Sequence, residues 1–141
     1  MGKYVHIYTD GSFNKDAFKG SWAFVVVDPE NDEILHEDCG LVTLPNFLEM
    51  WNVAGELFAS LKACTYMREN GHAACIYHDY EGVGKWARFE WKAKKSATQQ
   101  YQKSVQDLIA SKRLVFQWVP GHSGNKFNER ADELCRVAMR R

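Results

Sequence analysis

No apolar run in the 141 residues approaches the roughly 18 to 20 that a helical membrane span needs, so a protein with transmembrane helices is excluded. The start, Met1 to His6, passes into a strand-like stretch without the apolar region and small-residue cleavage site of a secretory signal. The expected compartment is therefore the cytosol or one like it. No two of the four cysteines, Cys39, Cys64, Cys75 and Cys135, form a C-x-x-C pair, which leaves zinc binding and dithiol redox chemistry without a basis. Reduced thiols are expected, three of them acting as small hydrophobes in apolar stretches. Low-complexity segments, internal repeats and Pro/Gly/Ser linkers are also missing. One soluble domain over residues 1–141, working as a monomer, is the simplest organisation.

Net charge is absent too, but the balance of 18 Lys/Arg against 18 Asp/Glu hides an asymmetry. Residues 1–84 hold 5 Lys/Arg and 13 Asp/Glu, a net of −8, while residues 85–141 hold 13 and 5, a net of +8. Surplus carboxylates in one half suit divalent cations, and surplus cations in the other suit a polyanion such as a nucleic-acid backbone. Two oppositely charged solvated faces would give the same count.

What is present reads as an α/β chain. Residues 3–10 and 21–28 are rich in β-branched and aromatic residues, with a turn-forming stretch from Gly11 to Gly20 between them. A break at Pro29, Asn31 and Asp32 precedes a third strand over 33–42, completing an antiparallel meander. From about Leu48 to Asn70, the residues Leu57, Phe58, Leu61, Cys64, Thr65 and Met67 recur at helical spacing, and Asn70-Gly71 supplies a stop. A short buried strand over 73–78 follows, then helices near 81–89 and 98–111, a strand over 113–119 and a terminal helix over 125–139. The last helix carries one apolar stripe of Phe127, Ala131, Leu134, Cys135 and Ala138. The expected fold is a mixed five-stranded sheet, its first three strands antiparallel, with helices on both faces in the order βββαβαβα.

Four carboxylates stand out against this frame. Asp10 is placed at the end of the first strand, before a glycine that allows close approach, although Asp-Gly is also a common turn pair. Asp79 ends the short buried strand. If the two strands are parallel neighbours, both aspartates lie at one sheet edge, where a divalent cation would relieve their repulsion; alone, Asp79 could equally cap the next helix. Glu56 lies early in the long helix beside Gly55, and a glycine inside a helix costs about 1 kcal/mol relative to alanine, which suggests close packing there. Asn128 and Asp132 are four residues apart on one face of the terminal helix, away from its apolar stripe, and His122 precedes them on a glycine-bracketed loop.

Tyr8-Thr9-Asp10-Gly11-Ser12, Asn52-Val53-Ala54-Gly55-Glu56, the strand-ending Asp79 and Gly121-His122-Ser123-Gly124 leading to Asn128-Glu129-Arg130-Ala131-Asp132 occur in an order and spacing that resembles type 1 ribonuclease H across residues 4–135. Each motif alone is weak; the set is specific. The resemblance implies that Asp10, Glu56, Asp79 and Asp132 are catalytic, metal-binding carboxylates. It also makes His122 a loop histidine concerned with protons and product departure, and Asn52 a minor-groove contact. Asn14 and Asn128 join Asn52 as candidate substrate contacts.

Three features depart from the family pattern: Val53 stands where many members have a second asparagine, Glu81 where some have glutamine, and the long basic handle of some bacterial members is missing. In its place the stretch from Lys85 to Lys95 mixes cations with aromatics. Trp91, Lys92, Lys94 and Lys95 could hold the DNA strand there; equally, Trp86 and Trp91 could be core residues and the lysines merely solvated.

The implied reaction is hydrolysis of the RNA strand of an RNA·DNA hybrid at a pair of Mg²⁺ ions, with Mn²⁺ as a substitute, leaving 5′-phosphate and 3′-hydroxyl ends. Asp10 is the expected bridge between the ions. The rival readings are a hybrid-binding module of the same fold without catalysis, and a DNA-directed nuclease. Retention of all four carboxylates opposes the first. The Asp-Gly-Ser start, in place of the Asp-x-Glu of proofreading exonucleases, opposes one form of the second.

Overall fold

The computed structural model describes residues 2–121 and 124–141. Five strands are built from β1 (Tyr4–Asn14), β2 (Lys19–Asp28), β3 (Glu33–Leu41), β4 (Ala73–His78) and β5 (Leu114–Trp118). They lie in the order β3-β2-β1-β4-β5, with β1 antiparallel to β2, β2 antiparallel to β3, and β4 parallel to both β1 and β5. The helices are α1 (Pro45–Leu48), α2 (Ala54–Asn70), α3 (Gly82–Ala87), α4 (Ser96–Ala110) and α5 (Lys126–Met139), with a 3₁₀ turn at Trp51–Val53. The expected mixed sheet and helix order are therefore observed.

Alternation along the strands divides the apolar side chains between two faces. Val5, Ile7, Phe24 and Val26 point into the larger core, where Leu57, Met67, Val83, Tyr101 and Leu108 from the helices meet them. On the opposite face Tyr8, Ala23, Val25 and Val27 pack against Phe127, Ala131, Leu134 and Cys135 of α5. All five residues of the expected α5 stripe are buried. Three of the cysteines are buried as well, and all four are free thiols.

Two boundaries differ from the sequence reading. The helix expected from Leu48 is in fact three pieces: Pro45 opens α1, Trp51 takes a left-handed φ of 54°, and only then does α2 begin. Within α2, Thr65 is exposed and bonds back to the Leu61 carbonyl instead of entering the core. The second difference is in β1, which does not end at Asp10. It continues to Asn14 because Gly11, Ser12, Phe13 and Asn14 pair with Trp22, Ser21, Gly20 and Lys19; the turn is confined to residues 15–18.

Candidate metal centre

The two neighbours of β1 support it over different lengths. Its antiparallel ladder with β2 extends to Asn14, but its parallel ladder with β4 stops at Tyr8–Tyr77. Asp10 thus sits two residues beyond the end of the β4 ladder while still held by β2, and Asp79 follows the last residue of β4. The rigidity expected of a strand residue and the openness of a strand end are combined at Asp10.

Glu56 approaches from α2 above this gap. The crossing is close because neither backbone carries a side chain: a Cβ on Gly55 would lie 2.0 Å from the Ser21 carbonyl oxygen, and one on Gly11 would lie 2.2 Å from the Gly55 carbonyl carbon. Gly11 N–H donates to Glu56 Oε1 at 2.8 Å. The other oxygen, Oε2, is buried with no hydrogen-bond partner among the described residues. Asp10, Glu56 and Asp79 each bring an oxygen within 4.8 Å of the others. Asp132 is outside that close trio and joins Asp10 and Asp79 on the wall of a cleft of about 190 Å³, with Asn128, Asn125 and Glu129 beside it. In this structure Asp132 pairs with Arg136 one turn along α5.

Several contacts fix these positions. Asn125 caps α5, its Oδ1 accepting from the backbone N–H of Phe127 at 2.8 Å and of Asn128 at 3.1 Å. Ser12 and Ser21 hydroxyls are 2.6 Å apart, and Ser21 donates to the Cys135 carbonyl, tying α5 to the hairpin beneath the cleft. Trp118 Nε1 donates to the Asp79 carbonyl oxygen at 3.1 Å. His78, buried just before Asp79, is pushed down to about 4 by burial and stays neutral, with Nδ1 2.8 Å from the Tyr80 carbonyl.

Electrostatics follow from crowding like charges around a buried glutamate. Burial, then the charges of Asp79 and Asp132, push Asp10 up to about 7. Burial, then Asp10 and Asp79, raise Glu56 well above the usual carboxylate range. An acid whose folded-state pKa exceeds its unfolded value ionises more readily once unfolded, so stability falls as pH rises between the two values. For Asp10 that window runs from 3.8 to about 7. Thermal unfolding in chelator is therefore expected to occur at lower temperature at pH 7.5 than at pH 5, with a weaker pH dependence in Asp10→Asn. Identical pH profiles for the two proteins would show that Asp10 is not strained by its neighbours.

The other expected contacts fall outside the trio. Asn14 is at the end of β1, accepting from Ala17 N–H, and Asn52 is exposed on the 3₁₀ turn. Lys92, Lys94 and Lys95 are exposed and none lines the cleft. Trp86 packs against the core. Trp91, half-buried, meets it edge-on at 5.3 Å. Asp79 does not cap α3, whose first flanking residue is Glu81, and Glu81 instead pairs with Lys85 at 3.3 Å. His122 lies outside the described residues. Sequence reasoning missed the Ser12–Ser21–Cys135 link and the cap at Asn125. A lone serine in the apolar run 21–28, and an asparagine just before a helical stripe, were the available signals.

A family model described as RNase H matches residues 2–140. The chain belongs to the RNase H family. Among its relatives, the Ribonuclease H of Treponema denticola is 32% identical over 152 aligned residues, covering 93% of this chain and 94% of the relative. That of Chlorobium luteolum is 29% identical and covers 100% and 99%. The fold agrees with RNase H1 from Halobacterium salinarum at a TM-score of 0.80 with 20% identity, covering 97% and 98%. It also agrees with LC11-RNase H1 in complex with RNA/DNA hybrid at 0.78 and 20%, covering 96% of each chain. Of the residues carrying the sequence resemblance, Asp10, Gly11, Asp79, Gly121, Gly124, Asn128 and Asp132 line the cleft, and Glu56 brings an oxygen within 4.8 Å of oxygens of Asp10 and Asp79. No helix among the described residues is long and apolar enough to cross a membrane.

Proposed function

We infer that the chain cleaves the RNA strand of RNA·DNA hybrids by hydrolysis at two divalent cations, leaving 5′-phosphate and 3′-hydroxyl ends. The observation that carries this reading is the buried Glu56 carboxylate, whose Oε2 has no hydrogen-bond partner among the described residues and which brings an oxygen within 4.8 Å of oxygens of Asp10 and Asp79. A buried carboxylate oxygen without a donor costs several kcal/mol unless a cation satisfies it. The donor set is all oxygen, which suits Mg²⁺, with Mn²⁺ as a substitute. Asp10, Glu56, Asp79 and Asp132 would hold the ions, with Asp10 between its neighbours as the bridging group. Ions bound there supply neutralisation of the phosphate's charge and a lowered pKa for attacking water.

The chain's own groups do the rest. Gly11 N–H fixes the Glu56 carboxylate, and Asn128 offers a neutral amide at the cleft wall, where a phosphate oxygen or a ribose hydroxyl can be met without added repulsion. Because the attacking oxygen comes from water, the substrate's 2′-OH is free to serve as the mark of RNA. A hybrid as substrate is supported by the fold shared with LC11-RNase H1, whose structure is described as a complex with RNA/DNA hybrid. The same reading has the protein working as a monomer in a cytosol-like compartment, in keeping with its four free thiols.

The test is cleavage of hybrid, RNA duplex and DNA duplex with and without Mg²⁺. Cutting of the hybrid alone, only with the ion, and with 5′-phosphate products is expected. Binding of hybrid without cleavage would favour a recognition module instead.

Two further results are expected. Replacing Lys92, Lys94 and Lys95 together by alanine should weaken hybrid binding and reduce the slope of log affinity against log salt by about 0.9 per lost phosphate contact. An unchanged slope would mean that these lysines do not meet the backbone. His122→Ala should lower turnover by about 10²-fold while leaving Mg²⁺ binding intact, the size expected of general acid or base assistance. Loss of Mg²⁺ binding by this variant, measured by calorimetry, would make His122 a ligand or a structural residue.

A further inference from the structure

Outside the cleft, the tip of the β1–β2 hairpin carries an aromatic and basic surface beside the candidate hybrid contacts Asn14 and Asn52. Phe13 stacks on Trp51 with ring centres 6.2 Å apart and planes at 20°, and meets Phe18 edge-on at 5.7 Å. Trp51 and Phe18 remain 47% and 48% exposed. Both occupy left-handed backbone, with φ of 54° and 48°, a conformation that costs a bulky residue about 1 kcal/mol or more and is not expected where any polar residue would serve. Lys15 Nζ lies over the Trp51 ring at 5.1 Å, which marks that ring as accessible to a ligand from outside. On the other side of the hairpin an open groove of about 600 Å³ is lined by Phe13, Asn14, Lys15, Arg136 and Arg140, among others.

The groove and the aromatic cluster share Phe13 and Lys15. They are continuous with the catalytic cleft: Ser12 of the groove follows Gly11 of the cleft, and Arg136 of the groove pairs with Asp132. A strand of nucleic acid leaving the cleft along the hairpin would meet cations for its phosphates and exposed rings for its bases. Bases inside a duplex are already stacked on one another and cannot use those rings. Unpaired ones can.

We propose that the hairpin surface of Phe13, Phe18, Trp51 and Lys15, with Arg136 and Arg140 beside it, binds unpaired RNA nucleotides that extend beyond the hybrid in the cleft. The proposal rests on the hybrid-cleaving reading. Lys15 would move from the Trp51 ring to a phosphate as a base takes its place, so that the cation–π contact is exchanged for stacking and a charge-assisted hydrogen bond. The enzyme would then favour hybrids with a single-stranded RNA tail over blunt ones.

The test compares binding of a blunt RNA·DNA hybrid with the same hybrid carrying an unpaired RNA tail at one end or the other, by fluorescence anisotropy in chelator. One tailed form is expected to bind about tenfold more tightly than the blunt one, the size of one base–aromatic stack. Trp51→Ala should remove that gain while lowering blunt-hybrid affinity by less than about threefold, and Phe18→Ala should reduce it. Equal affinity for blunt and tailed hybrids, or a gain that survives Trp51→Ala, would overturn the proposal. So would the same gain from a tail made double-stranded, since that would assign the surface to duplex backbone. Cleavage of the blunt hybrid with Mg²⁺ is scored separately: its absence would count against the hydrolytic reading, and its presence without a tail effect would count against this surface alone.

Discussion

Asp10→Asn is expected to lower hybrid cleavage by more than about 10³-fold, since in the proposed reading this carboxylate would hold the cations and its loss exceeds that of a single stabilising hydrogen bond. The same substitution should make the metal-free protein more stable at neutral pH. Asp10 is half-buried and faces Asp79 and Asp132, and its carboxyl is pushed up to about 7. A neutral amide of the same shape removes that repulsion and can donate to Glu56, so a gain on the order of 2 kcal/mol is expected. The two effects have opposite signs, which separates this variant from one that merely misfolds. Activity in Mg²⁺ and urea unfolding in chelator, measured on the same preparation, check it. Retention of a tenth of the activity would overturn the proposed role of Asp10 as a cation ligand, and a loss of stability would show that its charge is not strained by its neighbours.

Gly55→Ala should be strongly damaging for the addition of a single methyl group. In an exposed helix the change would stabilise by about 1 kcal/mol. Here the added carbon would sit 2.0 Å from the Ser21 carbonyl oxygen and 2.8 Å from the Gly11 Cα, and both of those atoms belong to the backbone of paired strands. Neither can swing aside as a side chain would, so α2 must shift away from the sheet and take Glu56 with it. A net loss of about 3 kcal/mol or more is expected, above the usual range for overpacking because the obstacle is main chain. Cleavage should fall as well, since the 2.8 Å bond from Gly11 to Glu56 depends on that approach. A variant as stable as the parent would show that the crossing is looser than described.

That same glycine shows what could be read in the sequence. Its presence beside Glu56, inside an otherwise regular apolar pattern, had no local reason, and close packing was the inference; the structure puts β1 and β2 against it. The single apolar stripe of α5 was legible for a similar reason, because burial on one face imposes a period; that the strands bearing Asp10 and Asp79 are parallel neighbours entered only as a condition, which the pairing of β1 with β4 meets. The extent of β1 was not. Asp10-Gly11 and Asn14 have turn chemistry, and only pairing with Ser21, Gly20 and Lys19 keeps that segment extended. Nor could the break before α2 be seen, since a tryptophan gives no warning of a positive φ. In the stretch from Lys85 to Lys95, composition alone could not divide Trp86, packed on the core, from the exposed lysines.

The placement of α5 bears on how the protein comes into being. Three of the four carboxylates precede it in the chain, and so does every strand. Yet among the described residues Ala23, Val25 and Val27 are covered on their face of the sheet by the α5 stripe of Phe127, Ala131, Leu134 and Cys135. A growing chain that has delivered the whole sheet therefore carries an uncovered sticky face until its last helix emerges, and the helix that conceals it also brings Asp132. Concealment and completion of the acidic cleft arrive together, so a prematurely ended chain would be aggregation-prone and inert, instead of a weak nuclease at large among nucleic acids.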